Sequence, residues 1–351
     1  MIPHAFGRSS PWSVGVEEEL FVVDAATLVP VPVPPEALDG HRLKPELFAA
    51  VLELNTEPCD TVAAVADDLG QLRSEARRRA GEAGFAVAAC ATWPTARPEK
   101  QEITSDEGYL RFVEYAGPTA RRQLCSGLHV HVGVASPDAC MAALEAVLPW
   151  LPLVLALSAN SPYVASEETG LASTRAEILS LLPRAGAPPV FESYEAWESF
   201  AETLVRLELA DQITRIWWDV RPHPHFGTLE LRMPDQPTRL DVTVAFAALL
   251  QALVAGARPG PAADRGFYAQ NRWAALRFGR EARLVHPDGD RLCTVEELFD
   301  QLTARLAPTF EELGTTALVE PLRGLDQAGA QLELGRREGL EALCRSLVDL
   351  T

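Results

Sequence analysis

Three short segments of this chain place polar, metal-capable side chains on one face of an otherwise apolar strand. A chain that does this three times has few ways to fold. The segments are Ser13–Val23 (SVGVEEELFVV), Ser126–Val134 (SGLHVHVGV) and Gly227–Met233 (GTLELRM). Successive strand residues point to opposite faces. Glu17 and Glu19 therefore share a face, as do His129 and His131, and Glu230 and Arg232. The opposite faces carry Val16 and Val22, then Leu128, Val130, Val132 and Val134, then Leu229 and Leu231. A carboxylate or imidazole in such a strand is costly to bury unless it is paired or binds a metal. Three occurrences predict that one sheet surface is a reactive site and not a core.

The rest of the chain supplies the frame for such a sheet. Residues 13–24 read as a strand, the Pro-rich stretch 25–41 as a loop, and Val51–Thr56 as extended. Residues 60–84 have helical periodicity (Val62, Val65, Leu69, Leu72, Ala76), with Arg73 and Arg77–Arg79 on the outer side and Gly84 as the stop. Phe85–Ala91 reads as a buried strand, 105–124 as a helix, and Asp138–Ala159 as a helix broken by prolines. Residues 164–193 read as loop and Ser193–Leu209 as a helix. Ile216–Val220 and Thr228–Met233 read as strands, and Leu240–Ala257 as an apolar helix. After a linker at 258–266, Asn271–Phe278 reads as helix, Leu284–Arg291 as a hairpin turning at Asp288-Gly289, and the remainder from Thr294 as mostly helical. Strands interrupted by helices predict one α+β domain over 1–351, a mainly antiparallel sheet with helices packed on one side.

Bulk properties exclude some functions. The net charge of −18 argues against nucleic acid or an anionic membrane as partner, since both favour a basic face. Six scattered cysteines with no CxxC pair favour free thiols in a reducing cytoplasm. The opening residues 1–8 contain no apolar run, so no signal peptide is expected. Ala142–Ala159 is interrupted by Glu145, Pro149 and Pro152 and reads as a buried helix pair, not a membrane span. P-loop, GxGxxG, GxSxG and HExxH motifs are absent. A bound nucleotide would be held through divalent ions on a carboxylate-lined sheet.

Each motif has an inert alternative. Glu17 and Glu19 could line a solvated edge, with Glu18 on the other face as a surface residue or structural partner. The pair His129 and His131 is more specific than a lone histidine, but Mg²⁺ prefers oxygen, so at most one of them would join such a site. Glu230 and Arg232 could be a plain ion pair, or a metal-binding carboxylate beside a cation that stabilises a transferring phosphoryl group. Glu53, Asn55 and Glu57 share a face if the segment is extended, as do Asp219 and Arg221. Arg175 could clamp a carboxylate or phosphate.

Together, GVEEEL (15–20), LELNT (52–56), SGLHVHVG (126–133), ANSPY (159–163), WDVRP (218–222) and FGTLELR (226–232) stand in an order that resembles the glutamate–cysteine ligase type 2 family. These carboxylate–amine ligases belong to the wider glutamine synthetase-like group. The resemblance runs from about residue 11 to the C-terminus. It implies a sheet curved into a funnel, with ATP and Mg²⁺ (or Mn²⁺) at its mouth. It implies a ligase that phosphorylates a carboxylate, typically the γ-carboxylate of glutamate, and passes the acyl group to an amine such as cysteine. By motif, Glu17, Glu19, Glu53, His129 and Glu230 would be metal ligands. Glu230, Arg232 and Arg175 would serve catalysis, with Arg232 also on the phosphates and Asn271 and Arg272 as further nucleotide contacts. The resemblance alone implies small-molecule substrates and a homo-oligomer. Alternatives are a glutamine synthetase-like ligase for another acid or amine, a zinc hydrolase built on His129, His131 and Glu230, and an inactive binding protein of the same fold.

Overall fold

The computed structural model describes residues 2–351. Its centre is the long strand β1 (Val14–Asp24), which pairs antiparallel with β3 (Val51–Asn55), β4 (Phe85–Ala88) and β5 (Leu128–Gly133). The short β2 (Leu43–Pro45) extends the sheet beyond β3. Two two-residue strands, β6 (Tyr163–Val164) and β7 (Glu167–Glu168), form a separate ribbon. Strands β8 (Val220–His223) and β9 (Thr228–Leu231) complete the main sheet in the order β2-β3-β1-β5-β9-β8, and every pairing in it is antiparallel. A small hairpin, β10 (Arg283–Val285) and β11 (Leu292–Thr294), lies apart.

The inward residues of the strands explain the layering. Val14, Val16, Leu20 and Val22 of β1 join Leu128, Val130, Val132, Leu229 and Leu231 in one buried cluster. Over it lie α1 (Val62–Glu82), the sequential pair α2 (Glu107–Ala116) and α3 (Pro137–Val147) contributing only α3, then α4 (Leu151–Ser158). Further along the chain come α5 (Thr174–Leu179), α6 (Tyr194–Arg206), the apolar α7 (Leu240–Ala255), α8 (Arg265–Phe278), α9 (Val295–Leu313), α10 (Gln327–Glu338) and α11 (Leu340–Asp349). The sequence reading of helices on one side holds for α1, α3, α4 and α7. The other face is not bare: at its far end Phe21, Val23 and Val51 pack with Trp93, Phe112 of α2 and Leu343 and Leu347 of α11. That second cluster leaves the polar middle of the face as the floor of a hollow.

Several local expectations shift. The strand expected at 216–220 is Val220–His223, because Asp219 N–H is taken by Gly186 O and the ladder to β9 starts one residue later. The helix expected over 105–124 ends at Ala116, where Gly117 takes φ +56°. Within the expected loop 164–193 lies α5, capped by the Ser173 side chain. Helix α8 begins at Arg265, capped by Asp264, inside the stretch expected as linker. The helical run Pro137–Ser158 is long and apolar enough to cross a membrane by composition, but most of it is buried within the protein, as the broken-helix reading anticipates. Arg73 is not on the outer side of α1. It is buried and donates two hydrogen bonds to Glu18, at 2.8 and 2.6 Å.

Candidate active site

Strand register assembles the polar face in rows. Glu19 of β1 stands opposite Glu53 of β3, which in turn faces Lys44 of β2. Glu17 stands between Asn55 and His129. His131 stands opposite Glu230, and Glu230 opposite Arg221 of β8. Residues far apart in sequence therefore meet through antiparallel pairing alone. Gly127, at the entry to β5, is required for a different reason. A Cβ there would lie 2.0 Å from a guanidinium nitrogen of Arg175.

Two groups of donor atoms result. In the first, Glu19, Glu46 and Glu53 bring one oxygen each within 4.8 Å of one another. Glu19 accepts from Gly127 N–H at 2.6 Å, Glu53 from Asn55 Nδ2 at 2.7 Å and Glu46 from Leu47 N–H at 2.7 Å. None of the three has an ion-pair partner among the described residues. Burial, with mutual repulsion added, pushes Glu46 well above the usual carboxylate range, raises Glu53, and moves Glu19 up to about 7. Three uncompensated carboxylates form an oxygen-only set, which suits a hard divalent cation. By this test the residues fit Mg²⁺ or Mn²⁺.

The second group is Glu17, His131 and Glu230. Glu17 meets His129 Nδ1 at 3.1 Å and His131 Nε2 at 3.3 Å. Burial raises the Glu17 pKa, but the two imidazoles outweigh it and hold the carboxyl well below its ordinary value. Burial, helped by the Arg232 charge, takes His129 down to about 4 against the pull of Glu17. The neutral ring gives its Nδ1 hydrogen to Glu17 and leaves Nε2 as a lone pair for a ligand. His131 Nδ1 lies 2.9 Å from Thr228 Oγ1, while its buried Nε2 faces Glu17 at 3.3 Å and Glu230 at 4.0 Å. Glu230 is held by the guanidiniums of Arg221 and Arg232. Burial pushes its pKa up, but these two cations outweigh it and keep it well below the carboxylate range.

Most of the residues expected from sequence do converge: Glu17, Glu19, Glu53, His129, Glu230 and Arg232 share one face. Arg175 lines the same hollow, but its guanidinium donates to the carbonyls of Met233 at 3.2 Å and Arg232 at 3.1 Å, so its bonds hold the backbone that presents Arg232. Asn271 and Arg272 do not reach the site. Asn271 bonds both ways with the backbone of Val285 at 2.7 Å, fastening β10. Arg272 is tied to Asp219 at 2.8 Å and to Ser180 Oγ at 2.8 Å. Both side chains are engaged in buried structure away from the residues that line the hollow. Glu57 lies beyond β3 and is exposed. The alternative zinc set His129, His131 and Glu230 lies on this same face, with His129 against Glu17 and Glu230 against two arginines.

Sequence reasoning missed Glu46 and left Arg221 out of the site. Glu46 lies just past β2, where no alternating pattern marks it. Only the pairing of Lys44 with Glu53 brings it over the sheet.

A hollow of about 650 Å³ opens above the first acid group, with Glu17, Glu19, Glu46, Glu53, His129 and Arg232 at its polar end. A second hollow of about 460 Å³ lies on the other side of Glu17, lined by Gly15, Arg42, Thr56, His131 and Phe226. Glu17 and Lys44 line both.

The sequence matches the profile of glutamate–cysteine ligase family 2 over residues 13–341. The chain belongs to that family. A Rubrobacter xylanophilus protein provisionally named glutamate–cysteine ligase 2-3 is 39% identical over 345 residues, covering 95% of each chain. A Sorangium cellulosum relative, provisionally named glutamate–cysteine ligase 2, is 35% identical, covering 92% of this chain and 90% of its own. The fold is also that of solved ligases. The Francisella tularensis glutamate–cysteine ligase, solved in complex with AMP, superposes with a TM-score of 0.70 at 13% identity, covering 97% of this chain and 88% of that one. A bifunctional glutathione synthetase from Pasteurella multocida gives 0.72 at 16% identity, covering 96% of this chain and 52% of that one. Family membership places the chain among carboxylate–amine ligases, which act on small molecules.

Proposed function

We propose that this family 2 ligase uses ATP and Mg²⁺ (or Mn²⁺) to activate the γ-carboxylate of glutamate as an acyl phosphate and to join it to an amine. The observation that carries this reading is the unpaired trio Glu19, Glu46 and Glu53 beside the Arg232 guanidinium on one sheet face. Divalent ions held by this trio, and by Glu17, His129 and Glu230, would neutralise the charge on the phosphate oxygens. The AMP bound to the Francisella ligase supports an adenine nucleotide.

In-line transfer requires donor and acceptor on opposite sides of the phosphoryl group. Two hollows meeting at Glu17 suit that requirement: nucleotide from the side of Gly15 and Phe226, acid and amine from the larger side. A glutamate oxygen attacks the γ-phosphorus as the bond to ADP breaks. Arg232, fixed by Glu230 below it and by the backbone bonds of Arg175, faces the charge that develops. The amine nitrogen then forms its bond to the acyl carbon, phosphate leaves, and the nitrogen gives up a proton. Residues 1–351 act as one catalytic domain, cytoplasmic and homo-oligomeric.

The test is ADP release by the purified protein with Mg-ATP and L-glutamate, with and without a panel of amines including L-cysteine. Release that requires glutamate and one amine supports the reading. Release with another acid points to the related ligase chemistry. Hydrolysis without ATP, with zinc bound, points to a hydrolase.

A further inference from the structure

The larger hollow has two chemistries. Its floor is the carboxylate face, and beside that face it has a wall made by Tyr109 and Phe112 of α2, Leu179 of α5, Leu182 and Trp217. The rings are set, not loose. Phe112 and Trp217 lie 5.0 Å apart between centroids, tilted by 41°. The Arg215 guanidinium caps Phe112 at 5.4 Å and Tyr109 at 6.0 Å, and that of Arg184 caps Trp217 at 5.8 Å. Cations placed on ring faces hold them in position. Tyr109 and Trp217 are only half-buried, so they present apolar surface to the hollow.

Resting on the ligase reading above, we infer that the acceptor amine carries an aromatic group, and that Tyr109, Phe112 and Trp217 select it. A hollow of about 650 Å³ is the size that takes a drug-sized ligand. A single methylene in an apolar pocket already discriminates about 10-fold or more, and a ring engages far more of this wall than the CH₂–SH of cysteine does. Offset and edge-on ring contacts supply orientation as well as area. The wall is also thin. Phe112, Arg215 and Trp217 separate the active-site hollow from a further one of about 310 Å³, lined by Tyr115, Val205 and Leu209.

The experiment has two arms. Hydroxylamine with Mg-ATP and L-glutamate reports carboxylate activation alone, as γ-glutamyl hydroxamate. 2-Phenylethylamine and L-phenylalanine are then compared with ethylamine and L-cysteine by kcat/KM. The expected result is hydroxamate formation together with at least a 10-fold preference for an aryl amine. Hydroxamate without that preference overturns the inference and leaves the ligase reading standing. No hydroxamate and no ADP overturns the choice of glutamate, and the inference falls with it. Phe112→Ala joins the two hollows, so the ratio of naphthylethylamine to phenylethylamine turnover should rise at least 10-fold. A merely structural defect would lower both together. Leu179→Trp, at a half-buried position, should lower the ratio of phenylethylamine to hydroxylamine turnover at least 10-fold. An unchanged ratio in both variants overturns the assignment of the wall.

Discussion

Glu18 and Arg73 form a two-point ion pair on the helix side of β1, directly behind the face that carries Glu17 and Glu19. The pair is closed off by Gln236 Nε2 at 2.8 Å and Thr243 Oγ1 at 2.7 Å, both donating to Glu18. One strand thus presents Glu17 and Glu19 to the hollow and Glu18 to the core. Burial pushes Glu18 up, but Arg73 and these bonds outweigh it, so its pKa is lowered. A lowered folded-state pKa means stability that is fully present above the ordinary carboxylate value of 4.5 and is lost as pH falls through the folded value. Glu18→Ala leaves Arg73 buried without its partner and should cost about 3–5 kcal/mol. Urea unfolding from pH 7 to pH 3 checks both: the wild type should hold its midpoint until below the usual carboxylate range, and the variant should start lower and lose less on acidification.

The trio Glu19, Glu46 and Glu53 predicts an opposite response. Three crowded acids destabilise the metal-free protein, so Glu53→Gln should raise its melting temperature. The same change should reduce the rise that Mg²⁺ produces in the wild type. A ligand at 100 times its Kd stabilises by about 2.7 kcal/mol, so the wild-type shift should be a few degrees and reversed by EDTA. Thermal melts with and without Mg²⁺ decide it. A variant that is less stable without metal, yet shifts as much as wild type with it, would remove Glu53 from the ligand set.

The alternation of polar and apolar residues made the polar face legible, because strand period is a local property and the core on the other side enforces it. Glu17, Glu19, His129, Glu230 and Arg232 were found in this way or by the family motifs built on it. Glu46 was not legible, since its place depends on β2 pairing with β3 and no local pattern records that pairing. Arg73 was misread because charge on a helix suggests solvent, whereas a buried acid on β1 draws it inward. Asn271 and Arg272 show the reverse case, in which polar side chains near a motif bond buried backbone and Asp219.

Arg232 should be irreplaceable by lysine. Its guanidinium is anchored on Glu230, which is also bound by Arg221, and the remaining donors face the hollow. Lysine offers one point charge and no planar fork. Loss of a preorganised donor to developing charge costs about 10²–10³ in kcat. Arg232→Lys should lose activity on that scale, measured as glutamate-dependent ADP release, with circular dichroism and melting temperature near wild type. Loss of less than 10-fold would argue that Arg232 is part of the scaffold only.

Asn271 and Arg272 should separate stability from nucleotide binding. Asn271→Ala frees both the N–H and the carbonyl of Val285, and a buried group left without a partner costs about 1–3 kcal/mol. Arg272→Met takes from Asp219 its guanidinium partner, leaving the Tyr268 hydroxyl at 2.6 Å, and should cost about 3–5 kcal/mol. Neither side chain lines the hollows beside Glu17. Below their melting temperatures, both variants should therefore keep KM for ATP within about twofold of wild type while unfolding earlier in urea. A selective rise in KM for ATP, without loss of stability, would return these residues to the nucleotide site and show that the bonds to Val285 and Asp219 open when nucleotide binds.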